Sequence, residues 1–442
     1  MKKAKNSRSS KDGLANALRA AMTIHQSGKI QQAVQLYRAI LKNTPNQADA
    51  LHYLGVAQHQ LGKKEDAIVL MRRAIEIDPD YFDAQNNLGN LLKENGQVNE
   101  AEQSYRAVIA ARPEFALAYN NLGVVLAAQK RFVEAVSAYQ LCLALTPDYA
   151  QAWHNLGNAL KKNEDIDAAL SAYKQAILLA PYNASAYQDL GNALAIQKRF
   201  DEALSVFQRW LILEPDNPVI HHMIAAYNGA ATPQRASDGY VQKTFDSFAE
   251  SFDDVLSNLD YHAPALVGEK LAQLLGKQHP AFDILDAGCG TGLCAAYLKP
   301  YARSLVGVDL SAGMLNKAAK RDNYDKLQQA ELCAFLATQP ESFNCIVSAD
   351  TLCYFGALNV FMKTAALALR AGAYLVFTVE HMRDIDTVPQ YFLHPHGRYS
   401  HKESYVRETM QAAGLQLLDI SYVTLRKESD QPVYGLLVAA MK

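Results

Sequence analysis

The chain has no run of 18 apolar residues, so nothing in it is long enough to cross a membrane as a hydrophobic helix. It has no CxxC pair, and no histidine cluster lies at zinc spacing near Cys142, Cys289, Cys294, Cys333, Cys345 or Cys353, so no metal site is expected. Five of these six cysteines fall in apolar runs or beside glycine, where cysteine acts as a small buried hydrophobe; this predicts a reducing, cytoplasmic setting. Charge of one sign is also missing. Lys and Arg number 43 against 45 Asp and Glu, for a net charge of -2. Residues 1–230 carry 24 basic and 22 acidic side chains, and the remainder carries 19 and 23. Neither part has the basic surplus of a duplex-binding domain, so no nucleic acid partner is expected. The start, MKKAKNSRSSKDG, is basic and Ser-rich but lacks the apolar stretch of a signal peptide; residues 1–13 are expected to form a disordered tail.

What is present is enough apolar material for large cores. The 442 residues are 50% hydrophobic, 20% charged and 9% aromatic, which predicts two to four domains. The first half is periodic. Leu54-Gly55, Leu88-Gly89, Leu122-Gly123, Leu156-Gly157 and Leu190-Gly191 recur every 34 residues. Ala33, Ala67, Ala101, Ala135, Ala169 and Ala203 keep the same period, as do Pro45, Pro79, Pro113, Pro147, Pro181 and Pro215. A fourth register holds Tyr37, Met71, Tyr105, Tyr139, Tyr173 and Phe207. The glycine lets a first helix approach its neighbour. Alanine and the aromatic, four residues apart, share a face of a second helix, and the proline stops it. Each unit is a helical pair that cannot bury its apolar face alone, so copies stack.

These registers resemble the tetratricopeptide repeat (TPR). Six copies are placed at 14–47, 48–81, 82–115, 116–149, 150–183 and 184–217, the first degenerate because Ala20-Ala21 replaces Leu-Gly. Residues 218–230 resemble a further first helix acting as a cap. In such an array the first helices line the concave face. Asn87, Asn121 and Asn155 stand one residue before a Leu-Gly, and Asn90, Asn158 and Asn192 one residue after. Side-chain amides donate and accept together, so they suit an extended peptide. The pattern resembles the asparagine ladder of the O-linked N-acetylglucosamine transferase repeats, and it lacks the lysines of a carboxylate clamp. A protein or peptide partner in this groove is the expectation; the alternative is that asparagine merely suits a solvated helix face.

After residue 230 the period stops. A polar joint is followed by Phe245, Phe248, Phe252 and Val255 at helical spacing, and 231–262 is placed as joint and lid helix. A strand, FDILDAG, then runs into CGTGLC, giving Asp286, Gly288, Cys289, Gly290 and Gly292 as D-x-G-x-G-x-G. A second strand ends in Asp309, followed by Leu310 and by Ser311 as a helix N-cap. A glycine turn after one strand and an acid ending the next describe a ligand lying across strand ends. The third glycine comes too early for a dinucleotide fingerprint, and there is no P-loop lysine. Further strands are expected at 331–336, 343–350, 373–380, 417–425 and 432–441, the last two as an antiparallel pair.

This order of motifs resembles the class I S-adenosylmethionine (SAM) methyltransferase, a Rossmann-like seven-stranded sheet with an antiparallel last strand, over residues 263–442. The whole chain resembles bacterial TPR–methyltransferase fusion proteins, an α solenoid followed by an α/β domain, through RASDGYVQKTFDSFAESFD, LDYHAPALV, ADTLCYFGAL, FTVE and GRYSH. The resemblance implies that Asp286 and Gly288–Gly292 hold the methionine and ribose of SAM and that Asp309 binds the ribose hydroxyls. It places Met314, Glu331 and Leu332 at the adenine, Asp350 beside the sulfonium, and Tyr240, Phe245 and Tyr261 in a lid. Asn344 and Ala371-Gly372-Ala373 depart from the family pattern at positions that look structural.

On the acceptor side the candidates are Asp350, His381 and His401 for catalysis, and Tyr354, Glu380, Arg398 and Tyr399 for substrate contact. His381 and His401 could equally be ordinary hydrogen-bonded histidines. The expected activity is methyl transfer from SAM, leaving S-adenosylhomocysteine, with no metal and with the repeats recruiting a protein or peptide. Two alternatives stand: a small-molecule or glycan acceptor with the repeats used for assembly, or a non-catalytic scaffold with a vestigial nucleotide-binding domain.

Overall fold

A computed structural model describes residues 2–228, 232–382, 389–428 and 431–442, with side chains from residue 13 onward. The chain divides into two compact units, one ending at Arg199 and one beginning at Phe200.

The first unit is a stack of helical pairs at the 34-residue period. Second helices of 14 residues run over Ile30–Asn43, Lys64–Ile77, Val98–Ala111, Phe132–Leu145 and Ile166–Leu179. First helices of 13 residues alternate with them at Ala48–Gln60, Phe82–Glu94, Ala116–Ala128, Ala150–Lys162 and Ala184–Ile196. The alanine and aromatic registers are the core of this stack, with Ala67, Ala101, Tyr105 and Tyr173 each fully buried. The glycine register is explained by what faces it: a Cβ on Gly123 or Gly157 would lie 2.6 or 2.5 Å from the ring of Tyr139 or Tyr173.

Each first helix ends in a left-handed residue, and the next amide reaches back five residues, as in Lys63 to Gln58 and Arg131 to Leu126. That residue is glycine at 28, 62 and 96, but Lys130, Glu164 and Lys198 hold it in the later copies, with φ of 62°, 66° and 58°. The first helix runs over Lys2–Gln26, so the backbone is helical where a disordered tail is expected; no proline precedes Pro45 to interrupt it.

The second unit opens with helices Phe200–Leu213 and Pro218–Asn228. The compact boundary therefore falls inside the sixth repeat rather than at the polar joint, because the cap helix packs on residues of the second unit. His222 stacks on Tyr240 at 3.8 Å and its Nε2 lies 2.8 Å from the Gly397 carbonyl. Helices Asp238–Phe248, Phe252–Ser257 and Ala263–Leu275 lead into the sheet.

Among the described residues nine strands form that sheet: β1 Phe282–Ala287, β2 Ala302–Asp309, β3 Lys326–Gln329, β4 Phe343–Ser348, β5 Leu369–Met382, β6 Tyr391–Leu393, β7 Tyr399–Lys402, β8 Gln416–Glu428 and β9 Gln431–Met441. The order β3-β2-β1-β4-β5 is parallel throughout, and β9 adds antiparallel to β5 with β8 beyond it. A seven-stranded arrangement of this kind is the expected one. The hairpin β6–β7 is an addition, with β7 pairing the far end of β5 at Glu380–Met382.

Both faces of the sheet are covered. Leu285, Val308, Ile346 and Phe377 face one core, and Ile284, Leu305, Val347 and Val376 face the other. One expected strand is a helix. Residues 331–336 fall in Leu332–Ala337, with Glu331 accepting from the Ala334 amide as N-cap, and β3 lies just before it. Leu332, Phe335 and Leu336 are buried at helical spacing, a run too short for its period to be read from sequence. All six cysteines are buried and free. No described helix is long and apolar enough to cross a membrane.

The ring contacts yield a test. Gly157→Ala drives a methyl group into Tyr173 and should cost about 1–3 kcal/mol, read as a lower Tm. Gly55→Ala meets the flexible Met71 at 3.2 Å and the Ala67 carbonyl oxygen at 3.3 Å, no ring, and should cost less.

Candidate functional site

The carboxyl ends of β1, β2 and β4 open into a cavity of about 260 Å³. One side is aromatic. Phe245, Phe248 and Phe252 come from the two helices before the sheet, and Tyr261 follows them. Phe245 meets Tyr354 edge-on at 5.3 Å and Phe252 at 6.0 Å. Acidic side chains pin this aromatic segment over the strand ends. Asp246 accepts from the Ser311 hydroxyl at 2.5 Å and the Gly313 amide at 3.0 Å. Asp253 takes the Thr291 hydroxyl and Arg321, both at 2.5 Å.

The floor is the turn after β1. Gly288 and Gly290 have φ of 78° and 53°, in the left-handed region that favours glycine. A Cβ on Gly288 would collide with Thr351, whereas one on Gly290 would enter open space with nothing within 4 Å. Asp309, ending β2, ties this turn down: its carboxylate accepts from the Gly290 amide and the Ser311 amide, each at 2.9 Å. Burial raises its pKa, and those amides oppose the rise. Ser311 caps the next helix as expected, accepting from the Met314 amide at 3.1 Å.

Of the residues expected at a cofactor, the structure brings Gly288, Cys289, Gly290, Asp309, Leu310, Met314, Glu331, Leu332, Asp350, Phe245 and Tyr261 to one cavity. Three do not line it. Asp286 lies beneath the turn, 1% exposed, with one oxygen accepting from the Tyr324 hydroxyl at 2.6 Å and the other without a hydrogen bond. Burial pushes its carboxyl up to about 7. Gly292 packs against the Tyr324 ring. Tyr240 is buried under His222 instead of forming a lid.

The acceptor side differs more from expectation. Tyr354 and Arg398 line the cavity, but Glu380, Tyr399, His381 and His401 do not. His401 is fully buried with Nε2 at 2.8 Å from the Phe355 carbonyl and 3.1 Å from that of Gly356. Burial lowers its pKa to about 4, so it is a neutral core histidine, away from any reacting group. His381 stands at the end of β5 with its ring edge-on to Tyr422 at 5.0 Å. Tyr399 is buried and donates to the Pro233 carbonyl at 3.0 Å.

Sequence reasoning missed the residue that organises this side. Arg426, in β8, is 1% exposed and lines the cavity. Its Nη1 donates to both Asp350 oxygens at 3.0 and 2.8 Å, its Nε to Glu428 at 2.8 Å, and its Nη2 to Glu380. Arg398 completes the cluster beside Glu380, at 2.9 Å, and Glu428. Asp350 holds a left-handed backbone, φ 54°, to reach this partner. The sequence offers little signal for it: Arg426 opens the charged run RKESD just past the strand expected at 417–425, and the structure carries β8 on through Glu428. Asp350, Cys353 and Glu380 lie close enough to share a cation, but both carboxylates are committed to Arg426.

In the repeat unit, most of the asparagines expected to face a peptide are bonded inside the array. Asn121 donates to Asn86 and Asn155 to Asn120, each at 3.0 Å and 35 residues apart. Asn87 pairs with His52 at 2.9 Å, while Asn90 and Asn158 accept from the hydroxyls of Tyr105 and Tyr173. An amide can donate and accept at once, and the preceding repeat supplies a partner before any ligand does. Asn192 sits half-buried on its helix.

Residues 285–377 match the family model described as a methyltransferase domain, and 26–82, 86–150 and 154–218 match that of the tetratricopeptide repeat. The chain joins tetratricopeptide repeats to a methyltransferase domain. Its methyltransferase part is similar to a malonyl-[acyl-carrier protein] O-methyltransferase of Yersinia pestis, 34% identical over 97 residues, covering 22% of this chain and 34% of the relative. It is also similar to methyltransferase-like protein 27 of Homo sapiens, 38% identical over 117 residues, covering 26% of this chain and 45% of the relative. The chain thus spans between a third and a half of these curated relatives. A solved structure titled as a functional characterization of Pseudomonas aeruginosa pilF aligns over 49% of this chain and 98% of its own, at 21% identity and a TM-score of 0.44.

The state of Asp286 in the methyltransferase domain has a measurable consequence. A carboxyl raised to about 7 in the fold and near 3.8 when unfolded stabilises the fold below pH 4 and loses that contribution as pH rises to 7. Asp286→Asn should therefore gain in Tm over the parent between pH 5 and pH 8. A difference that stays flat with pH would show that Asp286 is ionised throughout.

Proposed function

We propose that the chain binds S-adenosylmethionine in the cavity and transfers its methyl group to an acceptor, releasing S-adenosylhomocysteine, with the repeats recruiting a protein or peptide that carries or accompanies that acceptor. The observation that carries this reading is the pairing of the Gly288–Gly290 turn with the Asp309 carboxylate at neighbouring strand ends, inside the stretch matched as a methyltransferase domain.

The residues present fit the group. Open space above Gly290 leaves room for a ligand against the backbone, which any side chain there would fill. Asp309 uses one lone pair per oxygen on backbone amides, so each oxygen can accept again, from a ribose hydroxyl. Met314 and Leu332 offer apolar contact to a purine, and Glu331 Oε1, buried without a hydrogen bond, offers an acceptor for its amino group. S-adenosylmethionine supplies an activated methyl on a sulfonium, and the chemistry of leaving is its own. The chain's work is to align the acceptor and exclude water, and positioning of this kind is worth up to roughly 7–11 kcal/mol. Phe245, Phe248 and Phe252 exclude the water; Asp246 and Asp253 hold them in place. The tetratricopeptide match supports the recruiting role of the array.

Calorimetric titration of the full chain with S-adenosylmethionine, with NAD as control, tests the cofactor reading. Saturable binding of the first alone is expected. Gly290→Val should abolish it by filling the open space. Asp309→Ala should weaken it by about 1.5–3 kcal/mol, roughly 10- to 150-fold. Unchanged affinity in both variants overturns the reading.

A further inference from the structure

The far side of the cavity is rich in donors. Tyr261, Tyr354, Arg398 and Arg426 all line it. Among the described residues neither phenol hydroxyl has a hydrogen-bond partner. Arg398 sets its Nη2 against Glu428 and its Nε 2.9 Å from Glu380 without a hydrogen bond, and among the described residues none pairs with its Nη1. Burial raises both phenols well above the usual range, so both keep their protons and donate. Tyr354 and Arg398 lie close enough to perturb each other's charge.

The described carboxylates on the same wall are each paired with arginine. Asp350 receives Nη1 of Arg426 on both oxygens, and Glu380 and Glu428 are shared between Arg398 and Arg426. No described histidine lines the cavity, and His401 is enclosed by backbone carbonyls. The carboxylates of Asp309 and Glu331, which can still accept, follow β2 and β3, two and three strands across the sheet from the β4 end that carries Asp350, or about 10 and 14 Å at the usual strand spacing. Among the described residues, no histidine and no carboxylate free of arginine lines the cavity beside Asp350, whose own carboxylate is paired with Arg426. An amine arrives at neutral pH carrying a proton that it must lose before it can attack, and so does a hydroxyl. A carboxylic acid is already ionised.

We propose that the methyl acceptor is a carboxylate, held by the hydroxyls of Tyr261 and Tyr354 and by Nη1 of Arg398, and that the product is its methyl ester. This rests on the methyl-transfer reading above. A carboxylate oxygen gives a lone pair to the methyl carbon; the carbon–sulfur bond breaks toward sulfur, and the sulfonium leaves as a neutral thioether. Charge balances, and no proton is taken up or released, so the step needs no base. Phe248, Phe252 and Leu256 give the carbon chain behind the carboxylate an apolar surface.

The test uses the full chain in two titrations. The first adds S-adenosylhomocysteine alone; if it does not bind, the cofactor reading fails, and this is known before any acceptor probe is used. The second adds hexanoate, hexanamide or hexylamine to protein saturated with S-adenosylhomocysteine. Hexanoate is expected to bind at least tenfold tighter than the other two. Arg398→Gln and Tyr354→Phe should each weaken hexanoate at least fivefold while S-adenosylhomocysteine affinity stays within twofold. Equal binding of the three probes, a preference for the amine, or hexanoate binding that survives both substitutions overturns the proposal while leaving the cofactor reading intact.

Discussion

One guanidinium group joins the strand ends on which the cavity's far wall is built. Arg426 bonds Asp350 just past β4, Glu380 near the end of β5 and Glu428 at the end of its own strand, all while 1% exposed. Taking so many charges out of water is costly, and the attraction offsets that cost only where every partner is held in good geometry. The cluster therefore sets tight limits on its surroundings. It fixes the left-handed turn at Asp350, the approach of β8 to the sheet and the direction of Arg398. The cavity wall is rigid here because any displacement would strand a buried charge.

The opposite wall rests on a different interaction. Asp309 joins the amide of the glycine turn to the amide that opens the next helix, so the ends of β1 and β2 move as one piece. The aromatic roof is hinged on that piece through Asp246 and Asp253, which reach the Ser311 and Thr291 hydroxyls. Floor and roof thus share a frame, while the donor-rich wall is fixed by a separate ionic cluster.

How much of this was legible in the sequence depends on whether the deciding contact is local. The 34-residue registers, the glycine turn, Asp309 and the Ser311 cap are local patterns, and each has the structural place its spacing predicts. Residues 331–336 show the limit of such reading. Six apolar-rich residues fit a strand or a helix, and the N-cap bond from Glu331 decides between them. His401, open in the sequence between a catalytic and an ordinary hydrogen-bonded histidine, is the latter, and what decides it is the carbonyls of 355 and 356, which no nearby residue reveals. Arg426 and Asp350 lie 76 residues apart, and their contact exists only once the sheet order is known. The asparagine spacing also hides non-local contacts: a 35-residue step pairs Asn87, Asn121 and Asn155 with side chains of the preceding repeat.

The left-handed residue that closes each first helix bears on where the repeat array opens first. In the early copies glycine holds that conformation without steric cost; in the later ones Lys130, Glu164 and Lys198 hold it against a penalty of about 1–2 kcal/mol. The helix ends near those three residues are therefore the softer seams of an otherwise uniform stack. A local opening at those turns gives back conformational strain that an opening at Gly62 or Gly96 does not, which lowers its cost there.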